Sequence, residues 1–253
     1  LARRAAFGDS LRALHPGLLV LDSGGYFPVM ASDQSDAAFM ATAMHDLGVA
    51  AATLGDRELA FGPGFLDATL KSAKLPVVSA NVWRKFPSRA LFAKPWLLDR
   101  SGRWTVGVFG LTSPQARAGD SLEVSDPAVA AKAAIAELRQ QGANVIVLLS
   151  ALGQAGTESL VFSVPGIDVA IAGRNVPLLQ RSRQLGGTTV AYGGEEGQYA
   201  VVTTLGLDAK GAIVSRDSEA IMLGPDVRDQ PAMHAKVTAY EARPEVRARH
   251  APR

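Results

Sequence analysis

Ala51-Ala-Thr-Leu-Gly-Asp-Arg-Glu58 decides the fold. A short apolar run stops at a glycine and gives way to three charged residues. A run of this length reads as a strand buried on both faces, and the glycine turns the chain into a loop that presents polar side chains. The pattern recurs on either side. Leu18-Leu-Val-Leu21 precedes it, and Val77-Val-Ser-Ala80, Thr105-Val-Gly-Val-Phe109, Val145-Ile-Val-Leu-Leu149 and Val169-Ala-Ile-Ala172 follow. Helical periodicity fills several intervals, at about residues 2–14, 35–47, 64–73 and 127–141. Asp126-Pro127 supplies a cap followed by proline at the first helical position, and Gly142 fits the stop. Strand and helix alternate, which implies α/β layering.

The C-terminal part reads differently. Thr188-Thr-Val-Ala-Tyr192 and Tyr199-Ala-Val-Val-Thr-Thr-Leu-Gly-Leu207 flank the glycine-rich Gly193-Gly-Glu-Glu-Gly197, and Ala212-Ile-Val-Ser215 follows a turn at Asp208-Ala-Lys-Gly211. These segments read as antiparallel strands, with Gly193 to Gly197 as a hairpin turn. After Gly224-Pro225 a polar helical stretch from about Gln230 to Arg243 ends at Pro244, as a linker helix leaving the domain would. The expected organisation is one domain over residues 1–225 and a C-terminal linker helix or tail over 226–253.

With 253 residues, 47% of them hydrophobic, the chain can bury one sizeable core. The 26 Lys and Arg against 24 Asp and Glu leave a formal charge of +2, too small to draw in a polyanion, so no nucleic-acid partner is expected. Part of the excess lies in Arg243, Arg247, Arg249 and Arg253, where Glu241 and Glu245 interrupt it, as in a solvated terminal segment. The chain has no cysteine, which removes disulfides, thiolate metal sites, cysteine nucleophiles and covalent c-type haem attachment and leaves the redox compartment open. No apolar stretch approaches the roughly 18 residues that span a bilayer. The chain opens with Leu1-Ala-Arg-Arg and no initiator methionine, as a processed or truncated product would.

In an open α/β sheet ligands collect outside the carboxyl ends of the strands. The loops there are Asp22-Ser-Gly-Gly-Tyr-Phe27, Gly55-Asp-Arg-Glu58, Asn81-Val-Trp83, Gly110-Leu-Thr-Ser-Pro114, Ser150-Ala-Leu-Gly153 and Gly173-Arg-Asn-Val176. They are short, glycine-rich and polar, so a site is geometrically plausible among them.

Taken in order, these loops resemble the N-terminal metallophosphoesterase (calcineurin-like) domain of the 5'-nucleotidase and UDP-sugar hydrolase family. Leu1-Ala-Arg-Arg resembles the family's GG-L-A-R helix entry, and Leu21-Asp-Ser-Gly-Gly-Tyr-Phe27 its LDAGDxF loop. Thr53-Leu-Gly-Asp-Arg-Glu58 resembles TLGNHE, its most diagnostic string. Leu75-Pro-Val-Val-Ser-Ala-Asn-Val82, Gly107-Val-Phe-Gly-Leu-Thr-Ser-Pro114 and Ser163-Val-Pro-Gly-Ile-Asp-Val169 resemble further family segments. Ser150-Ala-Leu-Gly153 resembles SHLG, and Ala172-Gly-Arg-Asn-Val176 resembles GGHSH. The resemblance runs from Leu1 to about Leu207. It implies a four-layer α/β/β/α sandwich, with mixed sheets flanked by helices, and a two-metal phosphoesterase site in active members.

The departures fall on the positions that carry the metals. A two-metal hydrolase needs carboxylate, amide and imidazole ligands converging on cations about 3.5–4 Å apart. By the resemblance, Gly25 stands at the bridging aspartate, Asp56 at the ligating asparagine, and Arg57 at the histidine that assists the phosphoryl oxygen. Ala151, Arg174 and Val176 stand at three metal-binding histidines, and the initial D-x-H pair would precede Leu1. One carboxylate without imidazole partners rarely fixes a transition metal, and two permanent guanidinium charges repel one. No metal centre, catalytic residue or cofactor is therefore expected.

Several readings stay open. Arg57 and Arg174, with Asn81, could form an anion site, since guanidinium matches phosphate and sulfate oxygens bidentately. Alternatively the arginines pair with Asp56 or Glu58 and replace the lost metals electrostatically, which is the favoured reading. His15, His45, His234 and His250 lie outside the strand-end loops, and structural roles fit them. Without a histidine base in those loops, Asp22 and Ser23 read as loop hydrogen bonding rather than as part of a nucleophile. Trp83, Trp96 and Trp104 read as core or edge packing.

The expected function is a non-catalytic 5'-nucleotidase-like domain, serving as a structural or interaction module of a larger protein or extracytoplasmic assembly. One alternative is a metal-dependent phosphoesterase of nucleotides or related esters, with Asp56, Glu58 and Asn81 as surviving polar residues. The other is a phosphate-binding or anion-binding module. By the resemblance, partner proteins or further domains and a periplasmic or extracellular location are expected.

Overall fold

The computed structural model describes residues 1–100, 102–194 and 196–250, with positions 249 and 250 described by backbone alone. Glu195 of the glycine-rich turn, the side chains of Arg249 and His250, and Arg253 lie outside the described residues. The chain runs α1 (Ala2–Leu14), β1 (Val20–Asp22), α2 (Gln34–Asp46), β2 (Val49–Ala52), α3 (Asp56–Leu59), α4 (Gly62–Ala73), β3 (Val82–Arg84), β4 (Ala90–Leu91), β5 (Trp96–Asp99) and β6 (Val106–Thr112). It continues β7 (Leu122–Val124), α5 (Pro127–Gln140), β8 (Val145–Ala151), α6 (Gly153–Ser163), β9 (Val169–Ala172), β10 (Arg183–Leu185), β11 (Thr188–Tyr192), β12 (Tyr199–Leu207), β13 (Ile213–Met222), α7 (Pro231–Glu241) and α8 (Pro244–His250).

Six strands form one sheet in the order β10-β11-β9-β8-β6-β5. Its inner strands β11, β9, β8 and β6 pair in parallel, and an antiparallel strand closes each edge. β1 and β2 pair in parallel, β12 and β13 pair antiparallel, and β4-β3-β7 make a small separate sheet. Strand alternation explains how these pieces layer. In β8, Ile146 and Leu148 face a core shared with α5 and α6, while Val145, Val147 and Leu149 face a second core. That second core takes in Ala51 of β2 and is packed by Leu21 of β1, Leu205 and Leu207 of β12 and Ile213 of β13. A third core joins α1, α2, α4 and Met233 of α7 to the far side of β1 and β2. Helices, sheet, sheet and helices therefore stack in four layers, as expected, with β8 buried along its whole length.

The differences have local causes. Val77 and Val78 make only single bridges, to Ala52 and Lys94, so this run links sheets without becoming a strand. Ser150 and Ala151 end β8 and Gly153 begins α6, a helix that the small-residue stretch after Leu152 conceals in the sequence. The strands that flank Glu195 do not pair as the expected hairpin would require. β11 pairs with β9 and β10, and β12 belongs to a separate ribbon, so among the described residues no ladder joins β11 to β12. The turn at Asp208 to Gly211 does make a hairpin, tied by the Asp208 carboxylate to the amides of Lys210 and Ala212.

Helix α7 is capped by the Gln230 side chain, with proline at its first position, and it lies against the domain. Met233 and Tyr240 are buried, and Tyr240 stacks on Phe39 of α2 at 4.0 Å between ring centroids. Lys236 pairs with Asp46 and the Tyr240 hydroxyl meets Asp36. This is a docked helix, where the polar sequence suggested one that leaves the domain. Pro244 stops it and at the same time starts α8.

Candidate functional site: a rim of strand-end loops

The loops at the carboxyl ends of β1, β2, β6, β8 and β9 meet in one rim. Glu58, fully buried, holds two of them together. Its Oε2 accepts from the Gly25 and Gly55 amides at 2.8 Å each, and its Oε1 accepts from the Phe27 amide at 2.8 Å. Burial pushes its carboxyl above the ordinary glutamate range, and the three backbone N–H groups pull it back. Glu58 thus lies beneath the rim as a staple. Its partners are amides and not an arginine, which corrects one of the sequence alternatives.

Behind this staple the two sheets approach closely. The Thr53 hydroxyl donates to Val78 O at 2.9 Å, and the Thr112 hydroxyl donates to Leu54 O at 2.6 Å. Asn81, also fully buried, donates from Nδ2 to Thr112 O (2.8 Å) and Ser125 O (3.0 Å), while its Oδ1 accepts from the Thr112 amide (2.9 Å). Both amide hydrogens and the carbonyl are engaged. Asn81 therefore braces the rim and does not line an anion site, contrary to the sequence expectation.

At the surface Arg174 crosses the rim. Its Nε donates to Asp56 Oδ2 at 2.8 Å, joining the β9 loop to the β2 loop. The side chains of the pair are 28% and 40% exposed. Arg174 and Asn175 both adopt left-handed backbone, at φ 71° and 54°, a conformation that side chains rarely take. Asp56 Oδ1 is buried without a partner among the described residues. Arg57 reaches only the Gly25 carbonyl, at 3.4 Å, and finds no carboxylate among the described residues.

Gly25 has φ +80°, and nothing lies within 4 Å of where a Cβ would stand, so the place of a bridging carboxylate is open space. Ala151 is buried at the end of β8, and Val176 is buried in the core beneath α5 and α6, where an apolar side chain packs and has nothing to coordinate. Among the described residues no group of three or more His, Asp or Glu side chains is placed to hold a metal. Among the described residues the donor set at these positions is one carboxylate already paired with a guanidinium, and that set by itself does not fit a pair of divalent ions. His15 and His45 lie exposed near the ends of α1 and α2, and His234 lies 3.3 Å from Asp229, all outside the rim.

The first strand-end loop adds a partly buried carboxylate and a buried hydroxyl. Burial and the Arg4 charge act in opposite directions on Asp22, with burial the stronger, so its carboxyl sits above the ordinary aspartate range. Its Oδ1 accepts from the Gly24 amide at 2.9 Å, the loop bonding expected for it. Burial, then the Glu58 and Asp22 charges, hold the Tyr26 phenol well above its usual value, and its buried hydroxyl has no partner among the described residues.

Four layers with loops gathered at the strand ends are the metallophosphoesterase fold, in the form that N-terminal domains of 5'-nucleotidases take. The homologues of this chain are 5'-nucleotidases and related nucleotide phosphoesterases. It is 25% identical over 264 residues to a snake venom 5'-nucleotidase of Naja atra, a match covering 94% of this chain and 50% of that protein. The solved 5'-nucleotidase precursor of Thermus thermophilus is 28% identical, with a TM-score of 0.84, over 95% of this chain and 52% of that one. Sulfate thiohydrolase SoxB of the same organism, solved with glycerol, has a TM-score of 0.86 at 20% identity over 95% of this chain and 46% of its own, and shows the fold alone. No family model matches the chain. The chain spans about half the length of the 5'-nucleotidases it matches. Among the described residues no helix is long and apolar enough to cross a membrane.

Proposed function

We propose that this chain is a non-catalytic 5'-nucleotidase-like domain, a stable module of a larger protein or extracytoplasmic assembly. One observation carries the reading. The Arg174 guanidinium lies 2.8 Å from Asp56, the one acidic side chain left at the metal-ligand positions of the resemblance. A guanidinium brings a permanent positive charge and no lone pair, so it offsets Asp56 electrostatically but cannot deliver a nucleophilic water or polarise a phosphoryl oxygen as a metal does. Fold alone confers no activity. A periplasmic or extracellular setting, and partners or further domains, belong to the same reading. They are supported by the venom relative and by the greater length of the relatives. Fractionation of cells making the parent protein tests the setting, and finding it in the cytosol would remove that part.

A second reading has an observation of its own. The buried, unpartnered Oδ1 of Asp56 is a spare acceptor of the kind a cation takes up, and the relatives are named for nucleotide hydrolysis. One experiment separates the two. The purified chain is incubated with Mn²⁺, desalted, analysed for metal and assayed with a nucleoside monophosphate. The expected outcome is no stoichiometric transition metal and no phosphate release. Two Mn or Zn ions per chain with turnover would install the enzyme reading in its place.

A further inference from the structure

We propose that the gap between β1 and β12 takes an extended strand of the parent polypeptide, which enters from the amino end of α1 and pairs with both. The proposal rests on the reading of this chain as a module of a larger protein. Open edges are the first observation. β1 bonds along one side to β2 and β12 along one side to β13, and among the described residues no ladder joins the two ribbons. The outer edge of each ribbon is already taken. Ala52 of β2 bridges Val77, while Ser182 N donates to Ser218 O of β13 and Ala220 N of β13 donates to Gln180 O. The inner edges of β1 and β12 are therefore the ones left with unpaired backbone. Leu21 of β1 and Leu205 and Leu207 of β12 nevertheless pack on the same second core.

The floor of the gap is the second observation. The chain leaving β2 lies over β6, where the Thr112 hydroxyl meets Leu54 O, and β12 lies over the end of β11, where Val201 stands 3.4 Å from the place of a Cβ on Gly193. β9 runs between. Arg216 of β13 donates to Asp168 O at 2.7 Å just before β9 starts, and Ser23, just after β1, meets Gly173 just past its end. Between these two contacts Ile171 is half-buried on the second core, whereas its sheet neighbours Leu149 and Ala191 are 0% and 1% exposed. A side chain in the middle of six strands stays part open only where the facing layer is incomplete. Extended backbone suits the space. An added strand satisfies the N–H and C=O groups of both edges, which a helix or a lipid chain does not. Two-stranded ribbons are marginal alone, and one inserted strand joins these two into a single sheet. Its side chains over Ile171 must be apolar. The first turn of α1 points to the source, since Arg4 donates to Gly197 O at 3.1 Å beside the start of β12 and its charge acts on Asp22 at the end of β1. A strand joined there needs only a short connection. This chain spans about half the length of its 5'-nucleotidase relatives, so a parent of their size has further chain to supply.

The test is hydrogen exchange, read by mass spectrometry, on this 253-residue chain and on the parent polypeptide cut after Arg253. In the parent the amides of Val20–Asp22 and Tyr199–Leu207 should exchange about tenfold more slowly than in the chain alone, with β8 protected equally in both. The chain has no cysteine, so Leu205→Cys adds a second readout. A maleimide should label that position about tenfold more slowly in the parent. Leu14→Cys, at a position 73% exposed, should react alike in both. The exchange comparison needs no substitution and stands even if Leu205→Cys unfolds. Equal exchange in the two polypeptides overturns the inserted strand. Protection that the 253-residue chain gains by itself as its concentration rises also overturns it, and puts a second copy on these edges. In either case the Mn²⁺ assay still decides the non-catalytic reading on its own.

Discussion

Arg174 holds a left-handed backbone conformation beside Asn175 in the same state, and strain of this kind persists only where surrounding contacts over-determine it. Here the contact is the ion pair with Asp56. Because both partners are about a third exposed, solvent screening keeps the pair near 1 kcal/mol, well below what a buried pair would give. Arg174→Ala and Asp56→Asn should each cost about 1 kcal/mol in urea denaturation, and the double variant less than the sum. Strict additivity would mean that the two side chains are not coupled. Asp22 gives a signed pH dependence. Its folded carboxyl is raised, so the folded protein binds that proton more tightly than the unfolded chain does. The ionised group therefore lowers stability at neutral pH, and the penalty fades as pH falls through the folded value towards about 4. Asp22→Asn keeps an acceptor for the Gly24 amide and should raise the melting temperature at pH 7, with little difference from the parent below about pH 4. A destabilised variant at pH 7 would show that Arg4, not burial, governs this carboxyl.

At the scale of elements, the rim is braced by side-chain to backbone bonds that sequence reading recovers only in part. Position 56 is legible as the place of a ligand, because the neighbouring string resembles a family motif. Glu58 is not, because its spacing from Gly55 matches a helix cap and says nothing of the Gly25 and Phe27 amides brought to it from β1. Glu58→Ala would strip the acceptor from three amides. It should cost about 4 kcal/mol and release the Gly25, Phe27 and Gly55 amides to hydrogen exchange. If those amides stayed protected, the staple would lie elsewhere. Gly110 shows how closely the two sheets meet. A Cβ there would lie 2.2 Å from Thr53 Oγ1 and 2.3 Å from Val78 O. Gly110→Ala should therefore destabilise by about 3 kcal/mol through overpacking against backbone, measured as a shift in urea midpoint. A neutral variant would mean that the sheets can part at little cost.

For the whole molecule, layering is legible because apolar runs and helical periods alternate, and periodicity fixes which face of each element is buried. Sheet membership is not. Thr188–Tyr192 and Tyr199–Leu207 look alike as sequence, yet one joins the six-stranded sheet and the other a separate ribbon, a choice made by long-range pairing. Helix α7 escapes sequence reading for a related reason. Its polar sequence conceals Met233 and Tyr240, whose burial depends on α1 and α2 lying beside it. The candidate site repeats this division. The residue types at its strand ends can be read directly, but the pairing of Arg174 with Asp56, 118 positions apart, and the engagement of Asn81 cannot. Diffraction from crystals soaked in Mn²⁺, collected at the manganese edge, measures the outcome directly. The account expects the Arg174 guanidinium within hydrogen-bond distance of Asp56 and no anomalous peak at the rim. Two peaks about 3.5–4 Å apart between Asp56 and the turns at Ala151 and Arg174, with the arginine displaced, would contradict it.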